Sequence, residues 1–230
     1  MVLDLPPSVA DDWRRLGSRT DERSLSLATV TAETTVFEHR PTADALDQLR
    51  ADGEIPARSL FTVDLSISPS LSLVGLSPDN ALDKAAPKVR EQFVDTLEDD
   101  GITVRGERAS EYIDRPDGTV GHLTVLEVAY PTGSAGSAGQ AGESDATGSE
   151  TAADEAAAAE RPAIDAEAHA AVWPDDDAYV MAGGLLPLEA PDADLLGAAL
   201  DVDPDRDREI VVDVFRRLEL GSAADDAGST

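Results

Sequence analysis

Between Pro131 and Ile164 the chain reads PTGSAGSAGQAGESDATGSETAADEAAAAERPAI, a stretch in which only the terminal Ile164 is large and apolar. A chain so interrupted holds either two small domains or one domain with an overgrown connection. Two domains would leave about 65 residues on the C-terminal side, a size that buries little of its chain and is marginal without staples. Cysteine is absent, so no disulfide could supply one. The same C-terminal part would hold a hairpin with two bare edges. Pairing of the strand that ends at Tyr130 with the one that begins near Ala168 relieves both problems. Lengthening a surface loop costs only about 0.6 kcal/mol per doubling. The expectation is one α+β domain over residues 1–220, with 131–164 as a low-complexity disordered insertion and 221–230 as a disordered tail.

The formal net charge is −29 over 230 residues. The 131–164 segment carries six acids and one arginine, a net −5, so most of the charge belongs to the folded part. Lys84 and Lys88 are the only lysines; every other cation is arginine. An acidic, lysine-poor surface suits a cytoplasm of molar salt, where the Debye length shrinks to about 3 Å and like charges barely feel one another. The composition points to a haloarchaeal cytoplasmic protein. It argues against a nucleic-acid partner, because phosphate binding needs clustered cations. The nearest cluster, DDWRRLGSRTDER (11–23), interleaves arginines with acids and reads as a salt-bridged helix with its exit loop. The start shows no basic and apolar leader pattern, and AYVMAGGLLPL is only about half the ~20 residues that span a bilayer. No membrane partner is expected.

The pattern of elements follows from periodicity. Val9, Trp13 and Leu16 lie on one helical face that Gly17 would end. Ser24–His39 is rich in β-branched residues and predicts a strand, or two strands meeting near Ala32. Residues 41–53 predict a helix capped by Thr42, with Leu46 and Leu49 inward and Gly53 at its end. In LFTVDLSIS (60–68), Phe61, Val63, Leu65 and Ile67 alternate with polar residues, the signature of an antiparallel strand with one wet face. Ser77, Pro78 and Gly101 bracket a helix whose Leu82, Ala86, Val89, Phe93 and Leu97 form one stripe. Pro87 within it predicts a kink or a fresh start. Two strands then flank the turn RPDGT, a hairpin runs from Ala168 to Leu186 around PDDD, and a short helix occupies 190–200. A last helix turns Ile210, Val211, Val214, Phe215 and Leu218 inward.

Chemistry is thinly signalled. His122 and His169 lie on strands expected to be neighbours, but His39, His122 and His169 show no ligand spacing. GSAGSAGQAG lacks the strand, helix and acid of a nucleotide fingerprint. WPDDDAY (173–179) gathers three carboxylates without calcium-loop spacing and reads as a polar turn. No catalytic, cofactor-binding or metal-ligating residue is assigned, and no cofactor is expected.

The order of elements, with SPDNALDKAAPKVREQF opening a long helix, AAVWPDDDAYVMAGGLL as a late hairpin and IVVDVFRRLEL closing, resembles the PsbP/Mog1-like family of α/β/α sandwiches. The resemblance covers roughly residues 60–220 and rests on pattern alone. It implies a central antiparallel sheet with helices on both faces. It also implies an accessory or protein-binding role without shared catalytic residues. The competing reading is a small-molecule-binding protein or enzyme that uses scattered carboxylates and a histidine.

Overall fold

A computed structural model of the chain describes residues 3–24, 28–49, 56–131, 163–190, 198 and 201–220. Its elements are α1 (Pro7–Ala10), β1 (Trp13–Ser24), β2 (Thr29–His39), α2 (Arg40–Leu49), β3 (Ser59–Ser68), a 3-10 turn (Leu71–Val74), α3 (Pro78–Asp99), β4 (Thr103–Asp114), β5 (Val120–Pro131), β6 (Ala163–Asp175), β7 (Ala178–Pro187) and α4 (Pro204–Arg217). The strands form one sheet in the order β1-β2-β3-β7-β6-β5-β4, with every neighbouring pair antiparallel. The fold is α+β. As the sequence suggested, β5 and β6 pair directly, with Leu126 opposite Ala168 and Tyr130 opposite Ile164. The strands reach further than composition indicated: Pro131 ends β5, Ala163 opens β6, and Ile164 is buried. Residues 132–162, the tail at 221–230 and most of the expected helix at 190–200 lie outside the described residues.

Local chemistry explains the elements that matched. The Ser77 side chain accepts the backbone N–H of Asn80, Pro78 takes the first helical position, and Gly101 follows the end of α3 with φ +79°. Leu82, Ala86, Phe93 and Leu97 are buried, with Val89 partly so. Helix α3 is assigned as one element through Pro87, not as two. The turn between β4 and β5 closes through Gly118 N–H to the Arg115 carbonyl and Thr119 N–H to Asp117 Oδ1. The β6–β7 hairpin needs only Asp176 and Asp177, Asp175 standing opposite Ala178.

Other expectations are corrected. The 11–23 stretch is not a helix: β1 begins at Trp13 and runs to Ser24. Helical spacing of Val9, Trp13 and Leu16 is overridden because an extended backbone can pair along the whole of β2, with one register shift between Arg15 and Gly17. Its cations pair along and across strands instead: Arg14 with Glu38 at 2.5 Å, Arg19 with Asp21 at 3.0 Å. Strand β2 is unbroken at Ala32. Thr42 does not cap α2, which starts at Arg40. The inward placement of Leu46 and Leu49 and the stop at Gly53 lie outside what is described. Finally, β3 has no wholly wet face, since Leu60 and Thr62 are as buried as Val63.

Helix α3 covers one face of the sheet through Phe93 and Leu97 against Leu126, Val128, Ala166, Ala168, Ala170 and Leu185. Helix α4 and the segment Leu3–Val9 cover the other, against Leu60, Ala171, Trp173, Ala182 and Leu186. Adjacent glycines at the sheet centre serve one face each. A Cβ on Gly183 would lie 1.9 Å from the His169 carbonyl oxygen and 2.5 Å from the Phe61 ring; one on Gly184 would lie 2.8 Å from Leu60 and 3.3 Å from Val211 of α4.

Candidate functional site

Most of the buried charged side chains among the described residues, Arg58, Arg115, Glu167 and Asp207, lie on the α4 face, at three stations along that helix. Near its start, Arg58 and Asp207 are almost wholly buried and pair at 2.8 Å. Arg58 also donates to Thr42 Oγ1 (3.2 Å) and to the Asp201 carbonyl (3.0 Å). Thr42 can accept from Arg58 while donating to His39 Nδ1, 2.9 Å away. Burial pushes the Asp207 carboxyl up, while Arg58 and Arg206 pull it back down. Burial, reinforced by the Arg58 charge, lowers His39 to about 4, so its imidazole is neutral at pH 7.

At the second station one carboxylate is fully surrounded. Glu167, 1% exposed in β6, accepts a two-pronged contact from Arg208 (2.9 and 3.0 Å) and a 3.0 Å contact from His169 Nε2. Arg108 also reaches it, from across β5. The two register shifts in β4 fall at Arg105 and Arg108, and these bulges aim both arginines over β5 onto Asp165 and Glu167 of β6. The His169 hydrogen bond first, then Arg208, holds Glu167 down at about 2.

At the end of α4, Arg115 donates to the Phe215 and Leu218 carbonyls at 2.6 and 2.5 Å. It thereby satisfies acceptors that a helix terminus leaves open and places a cation at the negative end of the dipole. Its guanidinium lies 5.4 Å from the centre of the Trp173 ring. Trp173 Nε1 is the buried side-chain donor left without a partner among the described residues.

These stations lock a helix onto a sheet, their buried carboxylates Asp207 and Glu167 each held by arginine. His122 and His169 do not meet. His122 stands opposite Val172, and His169 is three positions from Val172 on the same strand, so the two side chains project from opposite faces. His122 instead lies edge-on to Tyr112, at 5.3 Å on the α3 side. Of the PDDD stretch, Pro174 and Asp175 end β6, and Asp176 (φ +44°) and Asp177 make the two-residue turn. No group of three metal-ligating side chains occurs among the described residues. Two open clefts flank this end of the sheet. One runs along Asp64–Ile67 and Asp175–Val180, and the other is lined by Asp79, Leu82, Asp83, Tyr112, Asp117 and Val120. No helix among the described residues is long and apolar enough to cross a membrane.

Residues 4–219 match the family model of DUF6517, a domain of unknown function. The chain belongs to the DUF6517 family. No curated protein and no solved structure matches it. The DUF6517 match runs from the segment before α1 to just past α4, and so takes in all three stations and strands on both sides of 132–162. Sequence reasoning missed the stations. The one signal was Glu167, an acid inside the otherwise apolar AEAHAAVW.

Proposed function

We propose that this DUF6517 protein is a non-catalytic binding or accessory protein of a haloarchaeal cytoplasm, with a protein as its partner. The observation that carries the reading is where the large apolar side chains stay exposed. Of six such side chains among the described residues, Leu73 (77% exposed), Leu76, Tyr112 and Val120 lie at the end of the sheet where α3 begins and β4 turns into β5, with Leu16 on β1 and Val212 on α4 apart from them. Exposed apolar surface of this kind, rimmed by Asp79, Asp83 and Asp117, suits a protein partner better than a buried small ligand. The test is co-purification from native cytoplasm in molar KCl, with the wild-type chain beside a Leu73→Asp/Val120→Asp variant. A stoichiometric partner held by the wild type and lost from the variant is expected. Equal recovery from both, or none from either, overturns the reading.

The haloarchaeal assignment rests on the −29 charge and the two lysines. Circular dichroism should show structure lost in dilute buffer and regained in molar KCl; a cooperative native spectrum without salt refutes it. A PsbP/Mog1-like sandwich is also part of the proposal. It is supported by α3 and α4 on opposite faces and by the late β6–β7 hairpin that precedes the last helix. The β1–β2 ribbon and a sheet much larger than its helices depart from that pattern.

A further inference from the structure

The sheet has two edges, and they are protected differently. Edge strand β4 is broken by two bulges, and its Arg105, Glu107 and Arg108 are tied into ion pairs with Asp165, Arg90 and Glu167. Bulges and engaged charges of this kind blunt an edge against further pairing. Edge strand β1 has one shift, near its start. From Gly17 opposite Val36 to Ser24 opposite Thr29 its register is regular, it contains no proline, and every side chain from Arg15 onward is exposed. A regular edge that no described strand or helix covers is a template for another strand.

We propose that this edge pairs antiparallel with β1 of a second copy of the chain, about a two-fold axis through Thr20. An antiparallel join that keeps the faces of both sheets aligned sets residues of equal parity opposite each other, and the charges then select the register. Centred on Thr20, Arg19 faces Asp21 of the second copy and Asp21 faces its Arg19. Thr20 faces Thr20, Ser18 faces Glu22, and Gly17 faces Arg23. Arg19 already touches Asp21 of its own strand at 3.0 Å, so the four charges close into an alternating quartet. Centring on Asp21 sets Asp21 against Asp21 and Arg19 against Arg23. Centring on Arg19 sets arginine against arginine. Centring on Glu22 sets Glu22 against Glu22, and centring on Ser18 reaches the pairs Arg15–Asp21 and Arg14–Glu22 only across the register shift between Arg15 and Gly17. Opposite charges directly across a ladder stabilise it and like charges weaken it, so within the regular stretch the Thr20 register is favoured. The product is a continuous fourteen-stranded sheet. Its ladder of Gly17–Arg23 is short, so the dimer forms and dissociates with concentration.

Sedimentation equilibrium in molar KCl, from micromolar to near-millimolar protein, tests this with the full chain. The wild type is expected to move from 24.1 kDa toward twice that mass. Arg19→Asp sets four acids together and Asp21→Arg sets four arginines together. Each should weaken the dimer by about threefold, since at a Debye length of about 3 Å only charges in direct contact across the ladder keep part of their interaction, with an unchanged circular dichroism spectrum. Mixing the two single variants should restore a dimer, as should the Arg19→Asp/Asp21→Arg exchange within one chain. A wild type that stays monomeric, single variants that dimerise as well as wild type, or a mixture that does not recover overturns the proposal.

Discussion

Helix α3 buries Leu82, Ala86, Phe93 and Leu97 among alanines, valines and leucines of β5, β6 and β7, whereas α4 is held at three points by arginines. Apolar contact is roughly indifferent to direction, so α3 is positioned by shape and by its caps. An ion pair with fixed hydrogen bonds is directional. Arg58, Arg208 and Arg115 mark the start, the first turns and the end of α4, which leaves the helix no register in which to slide. The −29 charge makes this notable, because four arginines of a cation-poor chain (Arg58, Arg108, Arg115 and Arg208) are spent on this face. A buried pair is weak evidence for stability but costly to break by halves. The faces should therefore fail in different ways.

The largest effect should come from the glycine pair that lets both helices approach. A Cβ on Gly183 meets the backbone carbonyl of His169, which cannot rotate away, so Gly183→Ala should cost about 4 kcal/mol or more. On Gly184 the nearest atoms include the mobile end of Leu60 and a methyl of Val211, but also the Ser59 carbonyl oxygen at 2.8 Å. Gly184→Ala should cost about half as much. Chemical denaturation in molar KCl measures both. Equal losses would mean that the sheet centre is looser than these approaches indicate.

Next in size is Arg58→Met. It leaves the Asp207 carboxylate buried with only Arg206 near it, 3.4 Å away, and should cost about 4 kcal/mol. Arg58→Met/Asp207→Leu removes both charges and should recover most of that loss. No recovery would show that Thr42 Oγ1, which loses Arg58 as a donor, matters more than the pair does, the Asp201 carbonyl keeping Arg206 at 2.7 Å.

How much of this was legible in the sequence differs between the faces. The α3 face was open to reading, because Leu82, Ala86, Phe93 and Leu97 repeat at helical spacing and the β6–β7 hairpin announces itself by apolar runs around PDDD. The α4 face was readable only in its apolar part, Val211, Val214, Phe215 and Leu218. Its arginines come from three distant places: the residue before β3, a bulge in β4 and a turn. Arg115 in RPDGT reads as turn chemistry, and nothing local shows that it reaches the end of a helix 100 residues on. Strand β1 failed for a related reason. Only Trp13 of it is buried, so there was no alternation to detect, and its interleaved arginines and acids imitate a salt-bridged helix. An edge strand exposed on both faces carries almost no burial signal; its partner strand determines it.

Glu167→Gln tests the second station. Two guanidinium groups and His169 would face a neutral amide. Because Arg108 and Arg208 can turn partly to water, the cost should be about 3 kcal/mol and not the full penalty of a stranded charge. Glu167 also gives the α4 face an acid sensitivity. Its folded pKa of about 2 lies below the ordinary value of 4.5, so its contribution is complete above 4.5 and is lost as pH falls toward 2. Phe93→Ala on the α3 face should shift stability by a similar amount at pH 7 and leave that acid limb unchanged. Stability curves from pH 7 to pH 2 separate the two. An acid limb that survives Glu167→Gln intact would place its origin elsewhere.

The smallest effect belongs to His39. Its ring stands edge-on to Trp13 at 5.3 Å, and its Nδ1 meets the Thr42 hydroxyl that Arg58 also uses. Protonation would turn that nitrogen into a donor and add a cation beside Arg58 and Arg206. The folded pKa of about 4 lies below the ordinary value of 6.5, so the unfolded chain takes up the proton first. Stability is therefore full above 6.5 and declines as pH falls toward 4, a window that overlaps only the start of the Glu167 window at 4.5. The decline should amount to less than about 2 kcal/mol, since the ring is only half-buried. Melting temperature against pH in molar KCl should show a shallow slope between 6.5 and 4 in the wild type. His39→Gln should lie lower at pH 7, because it loses the edge contact with Trp13, and should be flat across the same window. A slope that persists in His39→Gln would mean that the first station does not sense protons, and that the acid response of the α4 face begins only at Glu167.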